Sequence, residues 1–140
     1  MFFTDDKGRA HEVKLTIGAL RRVRDRTGYN LFRMDETDDK GRELLQRFYV
    51  DGLVFGEICG VLFLDSLKGY AIIKDEEIDE WLTDNLAGLR KEVTEALTDF
   101  FQSGGYQATA ELLKLTLPET ETDSARSTSL QESAVLTPAS

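Results

Sequence analysis

The chain has 140 residues, of which 41% are hydrophobic, and a formal net charge of −9 at pH 7. This length suits one domain, and this hydrophobic fraction is enough for a folded core. The one cysteine, Cys59, excludes an internal disulfide, and Cys59 and the one histidine, His11, are too few for a four-ligand Cys/His zinc site. The acidic balance argues against a general nucleic-acid binder, because phosphate contacts require a basic surface.

The sequence predicts neither a signal peptide nor a membrane span. The first residues lack the positive n-region and the apolar stretch of a signal peptide. The richest apolar run, residues 53 to 64, contains Glu57 and is shorter than the roughly 20 apolar residues of a bilayer-spanning helix. We therefore expect a soluble, reduced, cytoplasmic protein.

Residues 2 to 15 predict a β-hairpin. Two phenylalanines lead into a polar turn at residues 5 to 9. In residues 10 to 15, Val13 and Leu15 alternate with polar residues at the period of a strand, and His11 and Glu12 interrupt the pattern. His11 lies on this hairpin and is expected at the surface.

A helix is predicted directly after the hairpin. Thr16 suits an N-cap, residues 17 to 27 form the helix, and Gly28 suits the position that ends it. Its apolar stripe is expected to comprise Ile17, Leu20 and Val23.

Apolar residues at helical spacing predict more helices along the rest of the chain, over residues 43 to 49, 53 to 67, from Asp75 onward, 86 to 101 and 108 to 115. The stretch at 53 to 67 is apolar nearly all round, which predicts the central buried helix. An apolar connection and a polar turn at residues 35 to 41 precede the first of these helices. Gly88 is expected to separate or kink the two acidic helical stretches.

The composition changes at Pro118. Residues 119 to 140 are rich in Ser and Thr and contain no aromatic residue, which predicts a disordered tail. The fold class expected is therefore a mainly α, small helical domain over residues 1–117, with a short N-terminal β-hairpin and a disordered C-terminal tail over residues 118–140.

No motif in the sequence indicates a catalytic, metal or cofactor site. Residues 4 to 9 and 37 to 42 share the sequence TDDKGR, which we interpret as two similar polar turns. The second copy does not fit a calcium loop, because Lys40 and Arg47 would occupy ligand positions that require acidic side chains. No motif places a carboxylate pair or a glycine-rich phosphate loop, so we expect neither an enzyme nor a cofactor.

Basic residues are concentrated near the first predicted helix. Residues 9 to 33 contain seven basic and two acidic residues, a local charge of +5, and include Arg21, Arg22, Arg24 and Arg26. These arginines could pair with the acids of residues 75 to 99, mediate self-association, dock an acidic protein partner or contact DNA. A second recognition helix for DNA does not follow.

Two further patterns are candidates for contacts with a partner helix. Gly52, Gly56 and Gly60 recur at every fourth residue of the predicted central helix, where glycine costs about 1 kcal/mol relative to alanine. We expect a close helix crossing on that face, either within the chain or with a partner. The second pattern is a stripe expected mainly in the core, with Leu89 and Val93 also candidates for partner contact: Leu86, Leu89, Val93, Leu97, Phe100 and Phe101.

Two segments resemble a known family. Residues 13 to 31, VKLTIGALRRVRDRTGYNL, resemble the opening of tail assembly chaperones from long-tailed (siphovirus-like) bacteriophages, in which a short strand leads into a helix. The later stretch with Ala96-Leu97 and Asp99-Phe100-Phe101 resembles the helix that closes the domain in that group. The resemblance covers roughly residues 10 to 102.

The resemblance implies a non-enzymatic function. Such chaperones coat the tape measure protein, keep it soluble in the host cytoplasm while the tail tube assembles, and are absent from the mature virion. Many have a longer, frameshifted form that recruits tail tube protein. For this chain the resemblance implies binding of tape measure protein, contact with tail tube protein and self-association. The acidic charge and the hydropathy predict neither nucleic-acid nor membrane partners. The candidate surfaces are Arg21, Arg22, Arg26, Gly52, Gly56, Gly60, Leu89 and Val93.

Two alternative functions remain at this point. One is a structural tail-terminator or connector protein of the virion. The other is a small DNA-binding regulator that uses the helix bearing Arg21 to Arg26.

Overall fold

The computed structural model describes residues 1–34 and 38–117, and it is mainly α-helical there. Its elements in chain order are β1 (Phe2–Thr4), β2 (Ala10–Glu12), α1 (Ile17–Thr27), a 3-10 helix (Leu31–Arg33), α2 (Asp39–Val50), α3 (Gly52–Leu62), α4 (Leu64–Gly69), α5 (Asp75–Asp84), α6 (Leu86–Ser103) and α7 (Gln107–Lys114). The expected fold class, a helical domain with an N-terminal hairpin, is confirmed. The tail predicted at residues 118–140 lies outside the described residues.

The N-terminal hairpin forms as predicted, but one of its faces is buried and includes His11. β1 and β2 are antiparallel, and Phe3 lies opposite His11 in the register. Gly8 allows the tight turn with a φ of +79°. His11 is only 1% exposed, so the expectation of a surface histidine is wrong. The physical reason is the strand period of two, which places His11 on the same face as buried Val13.

Helix α1 begins and ends at the residues that the sequence predicts. The Thr16 hydroxyl accepts a hydrogen bond of 3.1 Å from the Ala19 backbone N–H. At the other end Gly28 adopts the left-handed conformation, with a φ of +85°. The predicted stripe is correct at Leu20 and Val23 but wrong at Ile17, which is 61% exposed. The buried face runs through Ala19, Leu20 and Val23 instead.

Helix α2 begins earlier than predicted. The Asp38 carboxylate accepts a hydrogen bond of 2.7 Å from the Gly41 backbone N–H and caps the helix. Part of the polar turn expected at residues 35 to 41 is therefore the first turn of α2, and residues 35–37 lie outside the described part. Helix α7 agrees with its prediction to within one residue at each end.

Two helix breaks differ from the predictions. The helix expected over residues 53 to 67 is divided at Phe63 into α3 and α4. The break between α5 and α6 falls at Asn85, and Gly88 lies inside α6. The Asn85 amide donates to the Trp81 carbonyl at 2.9 Å and to the Asp6 carboxylate at 3.0 Å, which explains why the helix ends there.

Helix α3 occupies the centre of the domain, as predicted for an apolar helix. It contacts α1, α2, α5 and α6. Phe55, Ile58 and Cys59 are buried in the core. None of the described helices is both long enough and apolar enough to cross a bilayer.

The predicted stripe of α6 packs into the same core. Four of its residues are fully buried: Leu89, Val93, Leu97 and Phe101. Their assignment to the core is confirmed. The alternative for Leu89 and Val93, contact with a partner helix, is wrong in this structure because no part of either side chain reaches the surface. Leu86 is 37% exposed and lies at the surface beside α3.

Candidate functional site

An open groove of about 710 Å³ lies between α3 and α5. Leu53 on its α3 side is 81% exposed, which is unusual for a leucine of the central helix. A concave site lined by apolar side chains with a few polar groups is the usual form of a binding site, which makes this groove the candidate site. The groove is lined by Asp51, Gly52, Leu53, Gly56, Glu57, Gly60, Ile78, Asp79, Leu82, Thr83 and Leu86.

The floor of the groove is the glycine face of α3. A Cβ atom at Gly52 or Gly56 would meet no neighbour within 4 Å beyond its own helix backbone. At Gly60 it would lie 3.7 Å from Leu82 Cδ1, an ordinary van der Waals contact with α5. The expectation of a close crossing within the chain is therefore wrong along this face. Among the described residues, a Cβ at Gly60 would contact α5, whereas Gly52 and Gly56 are open to an occupant.

The charges of the groove lining are all of one sign. Asp51, Glu57 and Asp79 are acidic, and within residues 1–34 and 38–117 no lysine or arginine lines the groove. One Asp51 oxygen accepts a hydrogen bond of 2.9 Å from the Leu53 backbone N–H and so caps α3. The groove therefore combines an apolar and glycine-rich floor with an acidic rim.

The rim carboxylate of Glu57 is held by a residue outside the groove. The Tyr29 hydroxyl donates a hydrogen bond of 2.9 Å to Glu57 Oε1. Because this bond favours the neutral phenol and the carboxylate repels a phenolate, the pKa of Tyr29 lies above its ordinary value. The Arg47 guanidinium lies 5.7 Å from the centre of the Tyr29 ring and is outside the groove lining.

The predicted basic surface lies on α1. Arg21, Arg22 and Arg26 are exposed, and none of them forms an ion pair with α5 or α6 in the described part of the chain. Arg24 pairs with its neighbour Asp25 at 2.9 Å. The expected pairing of these arginines with the acids of residues 75 to 99 is therefore wrong. Self-association, docking of an acidic partner and DNA contact remain predictions for this surface.

A buried polar network joins the hairpin to the helices. Asp5 Oδ2 accepts hydrogen bonds from His11 Nε2 at 2.8 Å, Arg9 Nε at 2.9 Å and Trp81 Nε1 at 3.0 Å. Its Oδ1 accepts from the backbone N–H groups of Lys7 and Arg9. Burial raises the pKa of Asp5, but the hydrogen bonds from His11, Trp81 and Arg9 outweigh it and hold the pKa well below its ordinary value.

The network continues from His11 to Ser66 on α4. The distance between His11 Nδ1 and Ser66 Oγ is 2.7 Å. Because ionised Asp5 can only accept, His11 Nε2 carries a proton, and a neutral ring accepts the Ser66 hydroxyl proton at Nδ1. This connectivity resembles that of a serine nucleophile and its base.

We interpret this network as structural rather than catalytic. The His11 side chain has no exposed surface, and the Asp5 carboxylate is shared among several other donors. Aromatic rings enclose the imidazole, namely Phe3, Phe63, Tyr70 and Trp81. Sequence reasoning missed this cluster, and the only local signal for it was the position of His11 two residues before Val13 on one strand face.

The one cysteine, Cys59, is buried in the core. Burial raises the pKa of the Cys59 thiol, which keeps it in the unreactive neutral form. Within residues 1–34 and 38–117, no group of three or more His, Cys, Asp or Glu side chains could hold a metal ion.

No protein-family model, curated protein or solved structure matches this chain. The groove geometry and the sequence resemblance are therefore the two grounds for a functional proposal.

Proposed function

We propose that this chain is a non-enzymatic assembly chaperone that binds apolar helical segments of another protein in the groove between α3 and α5. The observation that supports this proposal is the open glycine floor at Gly52 and Gly56. A helix laid on that floor can approach the backbone of α3 closely, because no Cβ stands between them. An apolar helical stripe lying in an apolar groove is a common mode of peptide recognition.

The size of the groove suits reversible binding. A volume of about 710 Å³ accommodates only a few side chains of one helix. Each copy would therefore bind its client weakly, and several copies on one long client would provide the protection together. Weak individual contacts also allow the chaperone to leave as assembly proceeds.

The resemblance of residues 13 to 31 and of the Ala96 to Phe101 region suggests the client. We propose that it is the tape measure protein of a long-tailed bacteriophage, bound in the host cytoplasm while the tail tube assembles. Contact with tail tube protein and self-association belong to the same proposal. The chain would be absent from the mature virion.

Co-expression with the tape measure protein of the same phage tests the proposal. We expect the soluble fraction of the client to rise when the chain is present and to fall again with Gly56→Leu, whose side chain would fill the groove. Gly69→Leu is the matched control, because a Cβ there also meets nothing within 4 Å and the residue is outside the groove. A client that is equally insoluble with and without the chain would contradict the proposal.

Mass spectrometry of purified particles separates this function from that of a structural tail protein. A chaperone that leaves during assembly should be missing from the particles, whereas a tail-terminator or connector should be present in them.

A further inference from the structure

We infer that the occupant of the groove is a helix whose apolar stripe is flanked by lysine or arginine residues. This inference rests on the proposed function and adds the charge of the partner to it. The observation behind it is that, in the part of the chain that the structure describes, the groove lining contains three carboxylates and no cation.

The carboxylates are placed on both sides of the apolar floor. Glu57 belongs to α3, Asp79 belongs to α5 on the opposite wall, and Asp51 lies at the N-terminal end of α3. A helix in the groove would therefore have an acidic residue near each of its flanks. Basic flanking residues would be attracted there, and acidic ones would be repelled.

Glu57 is already oriented for such a contact. Its Oε1 accepts the Tyr29 hydrogen bond, while Oε2 makes no hydrogen bond within the described residues. Tyr29 restricts the rotamers of the carboxylate, so a cation of the occupant meets an acceptor whose side chain is partly ordered before binding. Tyr29 is thus a positioning residue for this contact.

A second copy of the chain is a poorer occupant than a client helix. The basic helix α1 is the obvious candidate from a second copy, but its exposed face offers Ile17 as its only large apolar side chain. An apolar floor bordered by Leu53, Ile78 and Leu86 needs a stripe of several such residues.

Fluorescence anisotropy of labelled peptides on the full chain tests the inference. Three peptides of about 20 residues share one helical leucine stripe and differ in flanks of lysine, glutamine or glutamate. We expect the lysine peptide to bind about three- to tenfold more tightly than the glutamate peptide at low salt, since exposed ion pairs are individually weak. The ratio should decrease as the salt concentration rises.

Variants separate the groove carboxylates from the overall negative charge. The double variant E57Q/D79N should lower the lysine-to-glutamate ratio to about twofold or less, because its rim retains only one acid. The control E95Q/D99N removes two exposed acids of α6 outside the groove and should retain most of the ratio. Tyr29→Phe should lower the affinity for the lysine peptide and leave the affinity for the glutamine peptide unchanged.

The inference would be overturned by equal binding of the three peptides, by equal losses in the two double variants, or by no binding of any peptide. Saturation of the groove by a second copy, seen as a dimer in sedimentation that Gly56→Leu abolishes, would also overturn it. The proposed function is tested separately by co-expression. It would be contradicted if the tape measure protein were equally insoluble with and without the chain.

Discussion

The Tyr29 hydroxyl donates a hydrogen bond of 2.9 Å to Glu57, 28 residues further along the chain. It connects the loop after α1 to the rim of the groove between α3 and α5. Because the bond is formed between two folded segments, it reports on whether α1 and α3 hold their mutual position. It also allows the acidic rim to be followed through the absorbance of Tyr29.

Removing the Glu57 charge should lower the pKa of Tyr29 toward its ordinary value, because the carboxylate disfavours the phenolate. Alkaline titration followed by tyrosine absorbance measures the change in E57Q. The variant Y29F identifies the tyrosine concerned by removing its component from the curve. A titration curve of E57Q identical to that of the parent would show that the bond does not form in solution.

Replacing Asp5 with asparagine should lower the free energy of unfolding by about 3 kcal/mol, since the donors from His11, Arg9 and Trp81 would lose a buried charged acceptor. Chemical denaturation measures the loss. Asp65→Asn, an exposed acid on α4, is the control and should change stability by no more than about 0.5 kcal/mol. Equal effects of the two substitutions would contradict a stabilising role for the network.

The same carboxylate predicts how stability depends on pH. The folded-state pKa of Asp5 lies below its unfolded value, so its contribution is fully present above the unfolded pKa of about 4. As pH falls below that value, the unfolded state takes up the proton first and the contribution is progressively lost. Denaturation midpoints between pH 6 and about pH 2 should therefore fall less steeply in D5N than in the parent chain.

Alanine substitutions at two helical glycines should change the free energy of unfolding by different amounts or in opposite directions. Gly56→Ala should raise the free energy of unfolding by about 1 kcal/mol, because alanine favours the helix and its Cβ meets nothing within 4 Å. At Gly88 a Cβ would lie 3.0 Å from Phe3 Cε1, so Gly88→Ala should gain less or destabilise. A larger gain at Gly88 than at Gly56 in parallel denaturation curves would contradict the open floor.

Arg90 should stabilise the domain through its packing rather than through an ion pair. Its guanidinium lies 4.0 Å from the centre of the Phe55 ring and donates to the Phe48 carbonyl, and burial lowers its pKa. Arg90→Ala should cost about 2 kcal/mol, because the cation–π contact and the packed stem are both lost. The exposed Arg22→Ala serves as the control, and a comparable loss there would contradict this role.

Much of the helical content could be predicted because its signals are local. Both ends of α1 are marked in the sequence by Thr16 and Gly28, whose hydrogen bonds reach only three or four residues. The apolar spacing of Leu89, Val93 and Leu97 likewise predicts a buried face without knowledge of the partner helix.

The candidate site was predicted only in part. The residues Gly52, Gly56 and Gly60 were recognised as one face, but the expected crossing helix is not there. Glycines at every fourth residue leave one face of a helix without side chains. Their spacing does not indicate where another helix of the chain will lie. The acidic rim escaped prediction for the same reason, because Glu57 and Asp79 belong to different helices.

The sequence by itself determined the class of the fold, the bounds of α1, the place of α3 and α6 in the core and the concentration of positive charge on α1. Only the tertiary structure decided where α5 ends, whether His11 is buried and whether the glycine face is open. Those features depend on contacts such as that of Asn85 with Asp6, which are 79 residues apart. A local pattern sets the conformation of its own few residues, whereas long-range packing selects the partner of each face.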